Sequence, residues 1–136
     1  MAVDGNALKR LGTAYAEAWS SLNPDSVAAF YASDGTISIN GGEILRGRTA
    51  ISEMAAGFFA EFPDLQVYCD DARGAGPHAI FVWTLEGHHV DTKNHVKIGG
   101  WEEWDLNPEA KVVASRGWFD AVEYNRQISA TSSTSG

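Results

Sequence analysis

A chain of 136 residues that is 44% hydrophobic, with five Trp, six Phe and four Tyr, suits one folded domain and excludes intrinsic disorder. Its net charge of −8 and pI near 4.8, with ten scattered Lys and Arg, exclude a nucleic-acid partner and an anionic membrane surface. Met1 precedes polar residues and no apolar run approaches the ~18 residues of a membrane span, so a cytoplasmic location is expected.

Leu8, Leu11, Tyr15, Ala18, Trp19 and Leu22 recur at helical spacing, opposite Lys9, Arg10, Glu17 and Ser20. This first amphipathic helix stops at Asn23-Pro24, which also starts a second helix, since Asn caps well and Pro suits the first helical position. Val27, Phe30 and Tyr31 are read as its buried stripe, and Ser33-Asp34-Gly35 as its break. Ile37 and Ile39 then alternate with polar residues, Gly41-Gly42 offers a hairpin turn, and Glu43 to Arg46 reads as a short return strand. Thr49 is placed as the cap of a third helix, whose Ile51, Met54, Ala55, Phe58 and Phe62 form a stripe ending at Pro63.

Beyond Pro63 the period changes to two, with strands expected near 66–72, 78–88, 96–106 and 112–119 as one antiparallel meander. Gly74 to Pro77 and Asn107 to Ala110 are its turns. Asp120 to Ile128 reads as a short helix, with Asp120 and Glu123 at capping-box spacing, and 129–136 as a disordered or cloning-derived tail. The domain is therefore expected over 1–128. The lone Cys69 allows no internal disulfide, and beside Asp70 its thiolate is disfavoured.

Specific segments carry a resemblance. Tyr15 in the first helix, 23–36 as helix and turn, Gly47-Arg48-Thr49-Ala50-Ile51, and the close of the sheet from Val112 to Asp120 resemble the NTF2-like superfamily, in particular its SnoaL-like and ketosteroid-isomerase-like members. Trp83-Thr84-Leu85-Glu86-Gly87, Glu102-Glu103-Trp104 and 119–127 are most similar to a largely uncharacterised SnoaL-like subgroup. The resemblance implies an α+β conical barrel, with N-terminal helices packed on a curved, mainly antiparallel sheet around a pocket. It also implies a homodimer through the outer sheet faces. It implies no particular reaction, because the fold hosts isomerases, cyclases, hydrolases and binding proteins.

In ketosteroid-isomerase-like enzymes a helix tyrosine and a strand acid form an oxyanion hole while another carboxylate shuttles the proton, and burial keeps the strand acid neutral so that it can donate. Tyr15 and Glu102 match the first two positions, and the shuttle position falls at Ile39. The acid of epoxide-hydrolase-like and cyclase-like members falls at Gly117. Tyr15 and Glu102 are thus the expected hydrogen-bonding or acid groups, and His89 the candidate for a third. Trp19, Phe58, Phe62, Trp83, Trp104 and Phe119 are the expected lining for a small apolar molecule.

No metal or organic cofactor is expected, since His88 and His89 point oppositely on a strand and no thiol cluster or phosphate loop is present. Trp101 and Trp118 should lie on the outer sheet face and form the homodimer contact. Two kinds of function stay open: a cofactor-independent isomerase, cyclase or hydrolase, and a non-catalytic binding or dimeric accessory domain.

Overall fold

A computed structural model describes residues 5–130. Helix α1 (Gly5–Ser20) buries Leu8, Tyr15, Ala16, Ala18 and Trp19 on one face, as its period requires. The five-residue α2 (Pro24–Ala28) is capped by the Asn23 side chain, which accepts from the Asp25 amide at 3.1 Å.

Tyr31 does not belong to that helix. It opens strand β1 (Tyr31–Ile39), which pairs in parallel with β6 (Val112–Phe119). The Phe30 carbonyl already accepts from the Val112 amide at 2.9 Å. Ser33-Asp34-Gly35, expected as a break, lies inside β1 where the register shifts between Tyr31 and Thr36. Pairing with a strand distant in sequence overrides local turn chemistry there, and the irregularity is absorbed as a bulge. The return strand β2 contracts to Leu45–Arg46. Helix α3 (Arg48–Glu61) begins one residue before Thr49; its N-cap is Gly47, at φ 92°, a conformation that favours glycine. Phe62 is its C-cap, ahead of Pro63.

Strands β3 (Gln66–Ala75), β4 (His78–His88), β5 (His95–Leu106) and β6 form the expected antiparallel meander. The sheet order is β2-β1-β6-β5-β4-β3, so the curved sheet stays open, with β2 and β3 as its edges. Helix α1 packs across β3, and α3 against α2 and β1. Helix α4 (Ala121–Ser129) starts at Asp120, whose carboxylate accepts from the Glu123 amide at 3.0 Å. Ser129 is its last residue, so the tail expected from 129 loses that residue to the helix; 131–136 lie outside the described residues. Among the described residues no helix is long and apolar enough to cross a membrane.

Register fixes what the inner face presents. Glu102 stands opposite Phe81 of β4 and Gly117 of β6, and Gly117 in turn neighbours Ile39 of β1. Two residues along β5, Gly100 stands opposite Trp83 and Phe119. Two glycines in adjacent rows leave the face locally without side chains. On the outer face Trp101 pairs with Trp118 and adjoins Val82.

The two glycines differ. A Cβ at Gly100 would lie 2.5 Å from both the Trp118 carbonyl oxygen and Trp83 Cζ2, whereas one at Gly117 would meet its nearest atom, Glu102 Cγ, at 3.6 Å. Urea unfolding should therefore show Gly100→Ala destabilised by roughly 1–3 kcal/mol through overpacking. Gly117→Ala should stay within roughly 1 kcal/mol of the parent. Equal losses would contradict this register.

Candidate functional site

The glycine gap opens into a cavity of about 50 Å³ between the sheet and helices α1 and α3. Trp83 and Phe81 rise from β4, Phe119 from β6, Ile37 and Ile39 from β1, and Trp19 from α1. Met54 and Phe58, one turn apart on α3, complete the cover, and Phe58 meets Trp19 edge to face at 5.7 Å. Ile39, Met54, Phe58 and Phe119 are only half-buried and form the mouth. In this wall Glu102 is the one titratable residue.

Glu102 is 7% exposed, and its hydrogen-bond partners are all neutral. Its Oε1 accepts from Ser115 Oγ at 2.8 Å, Trp104 Nε1 at 2.9 Å and Tyr15 OH at 3.1 Å. Oε2 has only Tyr15 OH, at 3.5 Å. Since Tyr15 gives its proton to Glu102, it accepts from Tyr31 OH at 2.7 Å, and a chain runs Tyr31 to Tyr15 to Glu102. Burial pushes the Glu102 carboxyl up from its ordinary range, against the three donors, which hold it down. Burial first, and then the proximity of Glu102, raise both tyrosine hydroxyls well above their usual value. The tyrosines therefore remain donors. Oε1 takes three donors, and Oε2 keeps the single long contact with Tyr15.

The expected site residues divide. Glu102, Trp19, Phe58, Trp83 and Phe119 line the cavity together. Tyr15 and Trp104 are 0% and 1% exposed and stand behind Glu102, as its donors rather than as wall. Trp104 also stacks on Phe81 with ring centroids 5.2 Å apart. Phe62 is buried against His89 and Tyr124, away from the cavity wall. His89 is not at the mouth. It follows β4 and is buried, with Nδ1 accepting from the Asp91 amide at 3.2 Å and Nε2 3.6 Å from Glu61. Its ring packs on Phe62, so nothing brings it to Glu102.

Tyr31 and Ser115 belong to the network, and neither is among the residues expected at the site. Alternation along β6 from Gly117 turns Ser115 inward, a signal present in the sequence. Tyr31 offers no such signal, because its spacing from Val27 reads as helical. Ile39 and Gly117, the positions at which the resemblance leads one to expect acids, do line the cavity, and neither can move a proton. The Cys69 thiol is pushed up by burial and then by Asp70 and Asp71, as expected for an unreactive cysteine.

The SnoaL-like domain family matches residues 13–114. No curated protein matches the sequence significantly. Among solved structures, a hypothetical protein with a ketosteroid isomerase-like fold from Catenulispora acidiphila DSM 44928, in complex with trimethylamine, superposes with TM-score 0.81 at 21% identity. That match covers 93% of this chain and 97% of the other. A putative SnoaL-like polyketide cyclase from Jannaschia sp. CCS1 gives 0.77 at 16% identity, over 87% and 88%. The epoxide hydrolase/cyclase-like enzyme SalBIII, described for pyran ring formation in the polyether salinomycin, gives 0.77 at 17%, over 88% and 95%. At these identities the three show the fold.

A carboxyl held above its ordinary value of 4.5 stabilises the folded state fully below that value, and the stabilisation is lost as pH rises through the folded value. Wild type should therefore lose stability relative to Glu102→Gln as pH rises above 4.5, measured by urea unfolding between pH 4 and 8. A difference that stays constant over that range would show an unperturbed Glu102.

Proposed function

The chain belongs to the SnoaL-like family, and we propose that it binds a small apolar molecule in this cavity and isomerises or cyclises it, with neutral Glu102 as the acid. The observation that carries this reading is the asymmetry of the Glu102 carboxyl in the cavity wall: three donors on Oε1, and only the 3.5 Å contact with Tyr15 on Oε2. When an epoxide or carbonyl oxygen gains negative charge, the proton of neutral Glu102 meets it. Tyr15, Trp104 and Ser115 then stabilise the carboxylate left behind, without rearranging. The carboxylate regains a proton from the substrate, for example from a hydroxyl that closes a ring. One carboxyl thus serves both ends of a proton-neutral conversion. Hydrolysis is open to the same carboxyl, since an attacking water can return its proton to the carboxylate as a ring-closing hydroxyl does.

A second reading, a non-catalytic ligand-binding or accessory domain, is favoured by the same wall having no second titratable group and by its size. About 50 Å³ is well under the roughly 150 Å³ that admits benzene. A ligand of more than a few heavy atoms enters only if the mouth opens, and Met54, with its flexible thioether chain, is suited to that.

The homodimer belongs to the same proposal. Trp101 is 40% exposed and lies beside half-buried Trp118 and Val82, an apolar strip flanked by Arg116 with Glu103 and Asp105. Covering it against a second copy removes the exposed aromatic surface.

Turnover is tested with 4,5-epoxypentan-1-ol, followed by gas chromatography for the cyclic ether. Glu102→Gln keeps a hydrogen-bond donor but no transferable proton, so it should bind the compound and lose about a hundredfold or more in rate. Full activity in that variant would remove Glu102 from the mechanism, and saturable binding with no turnover in wild type would favour the accessory reading. Sizing of the Trp101→Glu, Trp118→Glu double variant should show a smaller species than wild type; an unchanged size counts against this interface.

A further inference from the structure

Two histidines away from the cavity face each other across the sheet. His88 ends β4, His95 begins β5, and they stand directly opposite, with ring centroids 5.2 Å apart. The turn between them is closed by the His89 amide, which donates to the Asn94 carbonyl at 3.0 Å and so fixes the two strand ends. Both side chains are exposed on the outer face. At about 3.4 Å per residue, roughly 20 Å of β5 separates His95 from Trp101, so the pair lies apart from the proposed homodimer contact.

Each ring has one nitrogen tied to a carboxylate. Asp64, between α3 and β3, accepts from the His88 amide at 2.8 Å through Oδ1, and its Oδ2 lies 2.6 Å from His88 Nδ1. Glu86 Oε2 lies 2.7 Å from His95 Nε2, while its Oε1 accepts from Tyr68 OH at 3.1 Å. The amide and ring of His88 hold the Asp64 carboxyl below its ordinary range, and the ring of His95, followed by Tyr68, does the same for Glu86. Ionised carboxylates only accept, so the ring protons sit on His88 Nδ1 and His95 Nε2. The lone pairs are left on His88 Nε2 and His95 Nδ1, and among the described residues neither atom has a hydrogen-bond partner.

We propose that His88 and His95 together bind one divalent first-row transition-metal ion, through His88 Nε2 and His95 Nδ1, with Asp64 and Glu86 as positioning residues. Metal-bound imidazoles characteristically give their second N–H to a carboxylate, which fixes the tautomer and raises the basicity of the ligating nitrogen. Two imidazoles on one tetrahedral ion, with metal–nitrogen bonds of about 2.0–2.1 Å, have ring centres about 5 Å apart, as these do. Among the described residues no three His, Cys, Asp or Glu side chains converge, so water fills the remaining positions on the ion. Imidazole suits Zn2+, Cu2+ and Ni2+ rather than Mg2+ or Ca2+. The ion ties the end of β4 to the start of β5, and its binding is independent of what the cavity holds.

The test is a calorimetric titration of zinc chloride into the full chain, without an affinity tag, at neutral pH in a buffer that does not coordinate zinc. One ion should bind per chain, with Cu2+ tighter than Zn2+ and no binding of Mg2+. His88→Ala and His95→Ala should each weaken zinc by more than about tenfold, and Asp64→Asn and Glu86→Gln, which keep an acceptor but lose the charge, by about tenfold. His78, paired with Asp105 in the same way at the other end of β4, is the control, and His78→Ala should leave the affinity unchanged. In nitrogen-15-labelled wild type, zinc should shift His88 Nε2 and His95 Nδ1 together. This measurement needs no substitution and decides the matter if a variant does not fold. A shift at one ring only, an equal effect of His78→Ala, or no saturable zinc binding overturns the shared site. Unchanged affinity in Asp64→Asn or Glu86→Gln removes the positioning role of that carboxylate.

Discussion

The site depends on one carboxyl group kept in an apolar sheet face with only neutral partners around it. Ionising Glu102 there is opposed by desolvation, and removing its donors would leave buried polar atoms unpaired. The protein meets both demands with Tyr15, Trp104 and Ser115 on one oxygen and Tyr31 behind Tyr15. Those residues come from α1, β1, β5 and β6, so the network also ties the first helix to the middle of the sheet. Tyr15 has further support from edge-to-face contacts with Phe30, Phe81 and Trp104 at 5.2 to 5.4 Å. Its hydroxyl is aimed by packing rather than by the hydrogen bonds alone.

The cavity in front of that network arises from what the sheet omits. Gly100 is required by the approach of Trp83 and of the β6 backbone, while Gly117 has room for a methyl group and leaves it unused. Glu102 is the one acid on the cavity wall, and the rest of that wall is aromatic, aliphatic or glycine. Such a surface distinguishes ligands by where their few polar atoms fall, since the hydrocarbon contacts are non-directional.

Much of the fold is legible in the chain because its periodicities are unambiguous where burial is one-sided. The stripe from Leu8 to Trp19, the alternation from His78 to Phe119 and the Asp120–Glu123 cap all describe short-range geometry, and each appears at close to its expected place. The stretch 31–35 departs from its local pattern for the complementary reason. Its turn-forming residues are pulled into β1 by parallel pairing with β6, a partner that no local pattern names. The open edges at β2 and β3 likewise follow from strand order, not from any strand's own residues.

For the site, the sequence by itself determined which residue types could do chemistry and which face of β5 Glu102 occupies, because alternation puts Glu102 and Trp104 together and turns Trp101 and Glu103 away. It also determined that Ile39 and Gly117 are not acids. Only the tertiary structure decided that Tyr15 and Trp104 stand behind Glu102 instead of facing the cavity, that Tyr31 completes the chain, and that His89 packs on Phe62 beside Glu61. These are matters of which side chain reaches which atom across elements far apart in the chain, and distances of about 3 Å are set by packing that no one-dimensional spacing encodes.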